Sequence, residues 1–176
     1  TISSLKESKY INKILVSTED KDLADFAEKN GAEIPFLRSN KMANEGVRVD
    51  SVLKDFLDNL EAEKYYPEII LPVEIQYPFR PKGLFNTLIE ILLKEDVDTV
   101  IAGYPEYRPC WNKDESISND FFKLITDINI PRNKRKPLHI GLPSMGCATY
   151  PELIRCGSRL SGRTLIYEIN NPLAVM

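Results

Sequence analysis

The chain has 176 residues, of which 43% are hydrophobic and 28% charged, with 23 Lys and Arg against 26 Asp and Glu. A chain of that length buries roughly 70% of its unfolded surface, so neither disulfides nor a metal is needed to hold it, and its ordinary composition excludes disorder, collagen and coiled coil as the main class. A net charge of −3 gives no reason to expect a nucleic acid or an acidic membrane as partner, and no apolar run nears the ~20 residues of a membrane span.

Taken in chain order, Ile2 and Leu5 give residues 1–10 a weak helical face, and Ile14–Val16 reads as a short buried strand. Ser17-Thr18-Glu19-Asp20 then looks like a helix start, with Thr18 or Asp20 as N-cap. Leu23, Phe26 and Ala27 set a helix over 20–30, which Asn30-Gly31 closes. The same period returns over 51–62 (Val52, Leu53, Phe56, Leu57, Leu60), followed by a second strand at Ile69–Val73. A long helix over 82–95 carries Leu84, Leu88, Ile91 and Leu92, and Thr99–Ala102 is a third strand. Strand alternating with helix predicts an α/β fold with a mainly parallel sheet between covering helices.

The stretch 106–137 breaks this rhythm with Pro109, Pro131, Pro137, the pair Phe121-Phe122 and the basic run Arg132–Lys136. A Gly-punctuated strand over His139–Tyr150, a short helix near 151–157 and a strand at 164–169 follow. We therefore expect a core over 1–107 and, over 108–176, an extension that returns to the core sheet. Such folds usually begin with a central strand and a phosphate-binding loop, whereas this chain opens on a helix. A strand beside Ile14–Val16 is expected to be missing from residues 1–176, as in a chain trimmed at both ends.

Cys110, Cys147 and Cys156 make an odd count without CxxC spacing, which fits free thiols in a reducing compartment and core packing. His139 is the single histidine, so a multi-histidine metal site is excluded. Thr1–Lys6 has no apolar core of a signal peptide, and the cytoplasm is the expected location.

Ligands of open parallel sheets bind beyond the carboxyl ends of the strands, which selects three segments. Ser17–Asp20 offers hydroxyls and amides suited to an anion or ribose hydroxyl, or else an ordinary cap. Glu74–Arg80 gathers an acid, an amide, a phenol and a guanidinium on a loop stiffened by Pro78 and Pro81, or else forms a surface turn. Tyr104, Tyr107, Arg108 and Trp111 suit base stacking, a carboxylate clamp or an interface. Arg132–Lys136 reads either as a solvated loop or as a phosphate or sugar-acid contact.

None of these features specifies a reaction. The strand end Ile14-Leu15-Val16-Ser17-Thr18-Glu19-Asp20, the phrase Gly31-Ala32-Glu33-Ile34-Pro35-Phe36-Leu37-Arg38 and the loop ending Pro78-Phe79-Arg80 resemble, in order and spacing, the acylneuraminate cytidylyltransferases. That family has "VSTDD", "GAEVPFLRP" and "LQPTSPLR" at these places. The resemblance covers about residues 1–111 and weakens beyond. It implies a Rossmann-like three-layer sandwich of the nucleotide-diphospho-sugar transferase type with a small dimerisation extension.

The implied reaction transfers CMP from CTP to a sialic-acid-like nonulosonic sugar acid, releases pyrophosphate and uses Mg²⁺, in a homodimer. By the same resemblance Ser17 and Thr18 border the nucleotide, and Glu74, Gln76, Tyr77 and Arg80 line the sugar. Arg80 and Arg132 act on the charged groups, and Met145-Gly146 stands for the family's Asn-Gly. Two departures matter. The family's triphosphate loop and its Mg²⁺-holding acidic pair have no match in residues 1–176, so this stretch alone is expected to be inactive. Glu74 stands where the family has Gln, which favours a different sugar. A degenerate binding module is the other reading.

Overall fold

Two threonines facing one another mark the middle of the sheet: Thr99 Oγ and Thr149 Oγ lie 2.9 Å apart with no exposure to solvent. Thr99 opens β1 (Thr99–Glu106) and Thr149 closes β5 (Cys147–Thr149), which runs antiparallel to it. Before β5, β4 (Leu138–Gly141) pairs antiparallel with the far half of β1, and β6 (Thr164–Glu168) runs parallel along its other edge. β2 (Trp111–Lys113) and β3 (Phe122–Leu124) form a separate two-stranded ribbon. In this computed structural model the chain is described over residues 1–113, 122–126 and 129–170, the side chain of Arg132 excepted.

The helices fall where the 3.6-residue period puts them: α1 (Ile2–Lys6), α2 (Lys21–Lys29), α3 (Val49–Ala62), α4 (Leu84–Lys94) and α5 (Pro151–Arg155). Asp20 caps α2, accepting the N–H groups of Asp22 at 2.8 Å and Leu23 at 3.1 Å. Gly31, at φ 80°, ends it in the left-handed conformation that favours glycine. Successive strand residues face opposite sides of a sheet. Val100, Ala102 and Ala148 accordingly pack with Leu84, Leu88 and Leu92 of α4 in one core cluster. Thr99, on the other side, donates to the Arg159 carbonyl at 2.9 Å, where α5 lies against α3. The result is the expected helix–sheet–helix sandwich.

The strands expected at 14–16 and 69–73 are each present as a single bridge. Leu15 pairs parallel with Glu33, and Ile70 pairs antiparallel with Thr149. Because β5 opposes β1, the segment around Ile70 runs the same way as β1 and β6, and the β4–β5 arm runs against them. Both bridges use the outer side of their segment: Val16 N–H and the Ile14 carbonyl face Glu33, and both groups of Ile70 face Thr149. The N–H and C=O of Leu15 and of Leu71 take no partner among the described residues. Between these two edges lies a cleft of about 1560 Å³, lined by Leu15, Phe26, Phe56, Leu60, Ile70 and Leu71 among others. Leu23 and Phe26, the apolar face read for α2, are therefore 48% and 62% exposed.

No helix among the described residues is long and apolar enough to cross a membrane. The cysteines differ from the expected core packing. Cys147 is buried, and burial pushes its thiol up to about 12, but Cys156 is exposed and Cys110 half-buried. His139 Nε2 meets Glu168 Oε1 at 2.8 Å across the strands that flank β1.

Candidate functional site

The cleft opens at the ends of the two single-bridge segments, where Ser17 follows one and Glu74 follows the other; both residues line it, as do Gln76 and Arg38. Ser17 and Thr18, read as a pair, part ways. Ser17 Oγ is buried without a hydrogen-bond partner among the described residues, a costly state that a ligand acceptor or donor would relieve. Thr18, 3% exposed, is spent on the backbone: its hydroxyl accepts the Asp20 N–H at 3.1 Å and its carbonyl accepts the Arg38 N–H at 2.8 Å. Arg38, which ends the "GAEIPFLR" phrase, pairs with Glu19, and this guanidinium holds the Glu19 carboxyl below its usual range.

Residues 74–80 are fixed by one side chain. Arg80 Nε donates to the Met145 carbonyl at 2.7 Å, and Nη1 donates to the Tyr77 carbonyl at 2.6 Å and to Thr1 Oγ1 at 3.1 Å. Its Nη2 donates to the carbonyls of Glu74 and, at 3.3 Å, of Ser144. A guanidinium has five N–H donors, and all five are committed here. Arg80, expected at the sugar, clamps the backbone carbonyls of Tyr77 and Glu74 in its own loop and of Met145 and Ser144 across from it, where the turn leaves several carbonyls within reach of a forked donor. Tyr77 packs against the core cluster beside it and does not line the cleft. Glu74 and Gln76 remain at the wall, with Gln76 Nε2 donating to Glu74 Oε2 at 3.0 Å.

Sequence reasoning missed Ser144. Opposite Ala102 the arm bulges: Ala102 accepts from Leu142 N–H at 2.7 Å and donates to the Gly146 carbonyl at 3.0 Å, so residues 143–145 loop out. Gly146 lets this bulge sit on α4, since a Cβ there would meet Leu88 Cδ1 at 2.7 Å. Ser144 is thereby carried to Glu74, and its Oγ donates to Glu74 Oε1 at 2.5 Å. A Gly-punctuated strand was the only hint. Arg159 was missed too. It is 7% exposed, lines the cleft and reaches Asp50 Oδ1 at 3.1 Å, while its Nε has no partner among the described residues.

Other expected residues lie apart from this cleft. Arg108 closes on Glu106 two residues back, and this pairing lowers the Glu106 carboxyl to about 2. Trp111 is on the β2–β3 ribbon, 54% exposed. The side chain of Arg132 and all of Phe121 lie outside the described residues. For the Mg²⁺ that the resemblance implies, no three Asp, Glu, His or Cys side chains gather into a ligand set among the described residues, and no step is derived through it.

With the geometry in place, likeness to known proteins is informative. No protein-family model matches the chain. Over 173 residues it is 26% identical to a CMP-N,N'-diacetyllegionaminic acid synthase of Legionella pneumophila, covering 97% of this chain and 74% of that one. The resemblance read from the sequence holds. A post-translational flagellin modification protein B of Campylobacter coli is 25% identical over 128 residues, and the chain spans 49% of its length. Among solved structures, a 4-diphosphocytidyl-2C-methyl-D-erythritol synthase from Anaerococcus prevotii superposes with a TM-score of 0.65 at 14% identity, over 99% of this chain and 76% of that one. The fold is accordingly the nucleotide-diphospho-sugar transferase type that the sequence implied.

Proposed function

We propose that this chain is the core of a cytoplasmic cytidylyltransferase that joins CMP to a nonulosonic-type sugar acid. A hydroxyl oxygen of the sugar attacks the α-phosphorus of CTP. The new O–P bond forms as the bond to pyrophosphate breaks, and the hydroxyl proton leaves to base. Such chemistry is mostly positioning and neutralisation of charge. Ser17 offers its unpartnered hydroxyl to the nucleotide, and Glu74 with Gln76 forms the sugar wall. Thr18, Tyr77 and Arg80 shape that site without touching the ligand, and Arg132 is assigned to the acidic groups by resemblance alone.

The observation that carries this reading is that Ser17 and Glu74, each just past its bridge segment, line one cleft in this fold. A nucleotidyltransferase for another sugar is the second reading, favoured by Glu74 in place of Gln. Pyrophosphate release from CTP, measured with N,N'-diacetyllegionaminic acid, N-acetylneuraminic acid and neutral sugars, separates the two. Release with a neutral sugar alone would overturn the sugar-acid reading. A homodimer through the exposed ribbon completes the proposal.

A further inference from the structure

The bulge at 143–145 carries Ser144, which no motif of the resemblance assigns, yet it supplies the partner of Glu74 on the sugar wall. Glu74 is tied to Ser144 twice: Glu74 N–H donates to the Ser144 carbonyl at 2.9 Å, and Ser144 Oγ donates to Glu74 Oε1 at 2.5 Å. Arg80 Nη2 bridges the carbonyls of the same two residues, and Gln76 holds Oε2. An ionised carboxylate has about four acceptor positions and no donor. Two are filled by these side chains, and no other described residue takes the rest on an oxygen pair whose direction is fixed. Arg80, which holds the Glu74 carbonyl, has all five N–H groups committed to other acceptors.

We propose that Ser144 is a positioning residue for specificity. By locking the Glu74 carboxylate it presents a fixed acceptor that selects a ligand face carrying hydrogen-bond donors, such as paired hydroxyls or acylamino N–H groups, and turns a carboxylate or phosphate away from Glu74. The ligand's own acid group is then directed away from residues 74–80. This inference rests on the reading of the cleft as a sugar site. It goes beyond that reading by naming which face of the sugar meets Glu74 and what holds Glu74 in place.

The test is steady-state kinetics of the intact protein with CTP and N,N'-diacetyllegionaminic acid as probe. Ser144→Ala removes the donor, and Ser144→Cys keeps the size with a weak one. Both are expected to raise KM for the sugar acid about tenfold, leaving kcat and KM for CTP within about twofold. Ser144→Thr, which keeps a hydroxyl, should return KM to within about threefold of wild type. Glu74→Ala combined with Ser144→Ala should be no worse than Glu74→Ala alone, because Ser144 acts only through Glu74. Wild type inert toward the sugar acid overturns the underlying reading and this inference with it. An active wild type with unchanged KM in Ser144→Ala, or equal loss in Ala and Thr, overturns the inference alone. Should Ser144→Ala fail to fold, the Cys and Thr pair carries the same comparison.

Discussion

Arg80 and Met145 are 65 residues apart in sequence, and a 2.7 Å hydrogen bond from the guanidinium to the Met145 carbonyl joins their loops into one unit. Burial also pulls the Arg80 pKa below its usual value, which marks a cation held by carbonyl dipoles rather than by an opposing charge. Arg80 therefore governs stability first and ligand binding second. Arg80→Ala is expected to lower unfolding free energy by about 2 kcal/mol, since carbonyls facing inward lose their donor. Arg80→Lys, with three donors in place of five, should recover part of it. Urea denaturation followed by circular dichroism measures both.

The two ends of the cleft should separate genetically. Ser17→Ala removes a neutral hydroxyl and is expected to weaken CTP binding by roughly 3- to 10-fold, leaving sugar-acid binding unaltered. Glu74→Ala removes a charged partner and should do the reverse, by roughly 10- to 100-fold. Glu74→Gln restores the residue of the family and should shift preference toward N-acetylneuraminic acid. Calorimetric titration of each ligand reads the pattern, and a variant that weakens both ligands equally would contradict it.

Acid should loosen the start of the β2–β3 ribbon. Arg108 lowers the Glu106 carboxyl to about 2, against about 4.3 for an unfolded glutamate. A depressed pKa stabilises the folded state above the unfolded value, and that contribution is lost as pH falls from about 5 toward about 2. Glu106→Gln has no such contribution to lose. Its stability relative to wild type should therefore rise over that interval, in denaturant melts taken at successive pH values.

Trp111 and Phe122 are 54% and 59% exposed on paired strands of a three-residue ribbon, which is a large apolar area to leave in water. We expect them to be buried against a second copy. Light scattering of the intact protein should give a dimer. Trp111→Ala with Phe122→Ala should shift it toward monomer by at least about tenfold in dissociation constant, because aromatic anchors dominate such interfaces.

The helices were legible because their apolar spacing is local: 20–30, 51–62 and 82–95 correspond to α2, α3 and α4 within two residues. Ile14–Val16 and Ile69–Val73 were equally apolar, but a strand needs a ladder of successive pairs, and each makes a single bridge to one neighbour among the described residues. The antiparallel arm was hidden in a Gly-punctuated run whose bulge depends on α4 beneath it. At the site, Ser17, Glu74 and Gln76 were readable as polar residues placed just past strands. Arg80 and Thr18 were readable as polar but not as spent, since no sequence pattern says which carbonyls a guanidinium will reach. For Ser144 the Gly-punctuated strand hinted at an irregular strand but not at its partner, which lies 70 residues away.

Leu15 and Leu71, whose backbone groups have no partner among the described residues, line one cleft with Leu23, Phe26 and Leu93. Sheets ordinarily carry such open edges at their rim, where charge, proline or a twist discourages contact. Here both edges line an apolar cleft. Such edges template pairing with an extended chain, and the practical signature is clouding that accelerates with protein concentration and subsides when an extended apolar peptide is supplied in excess.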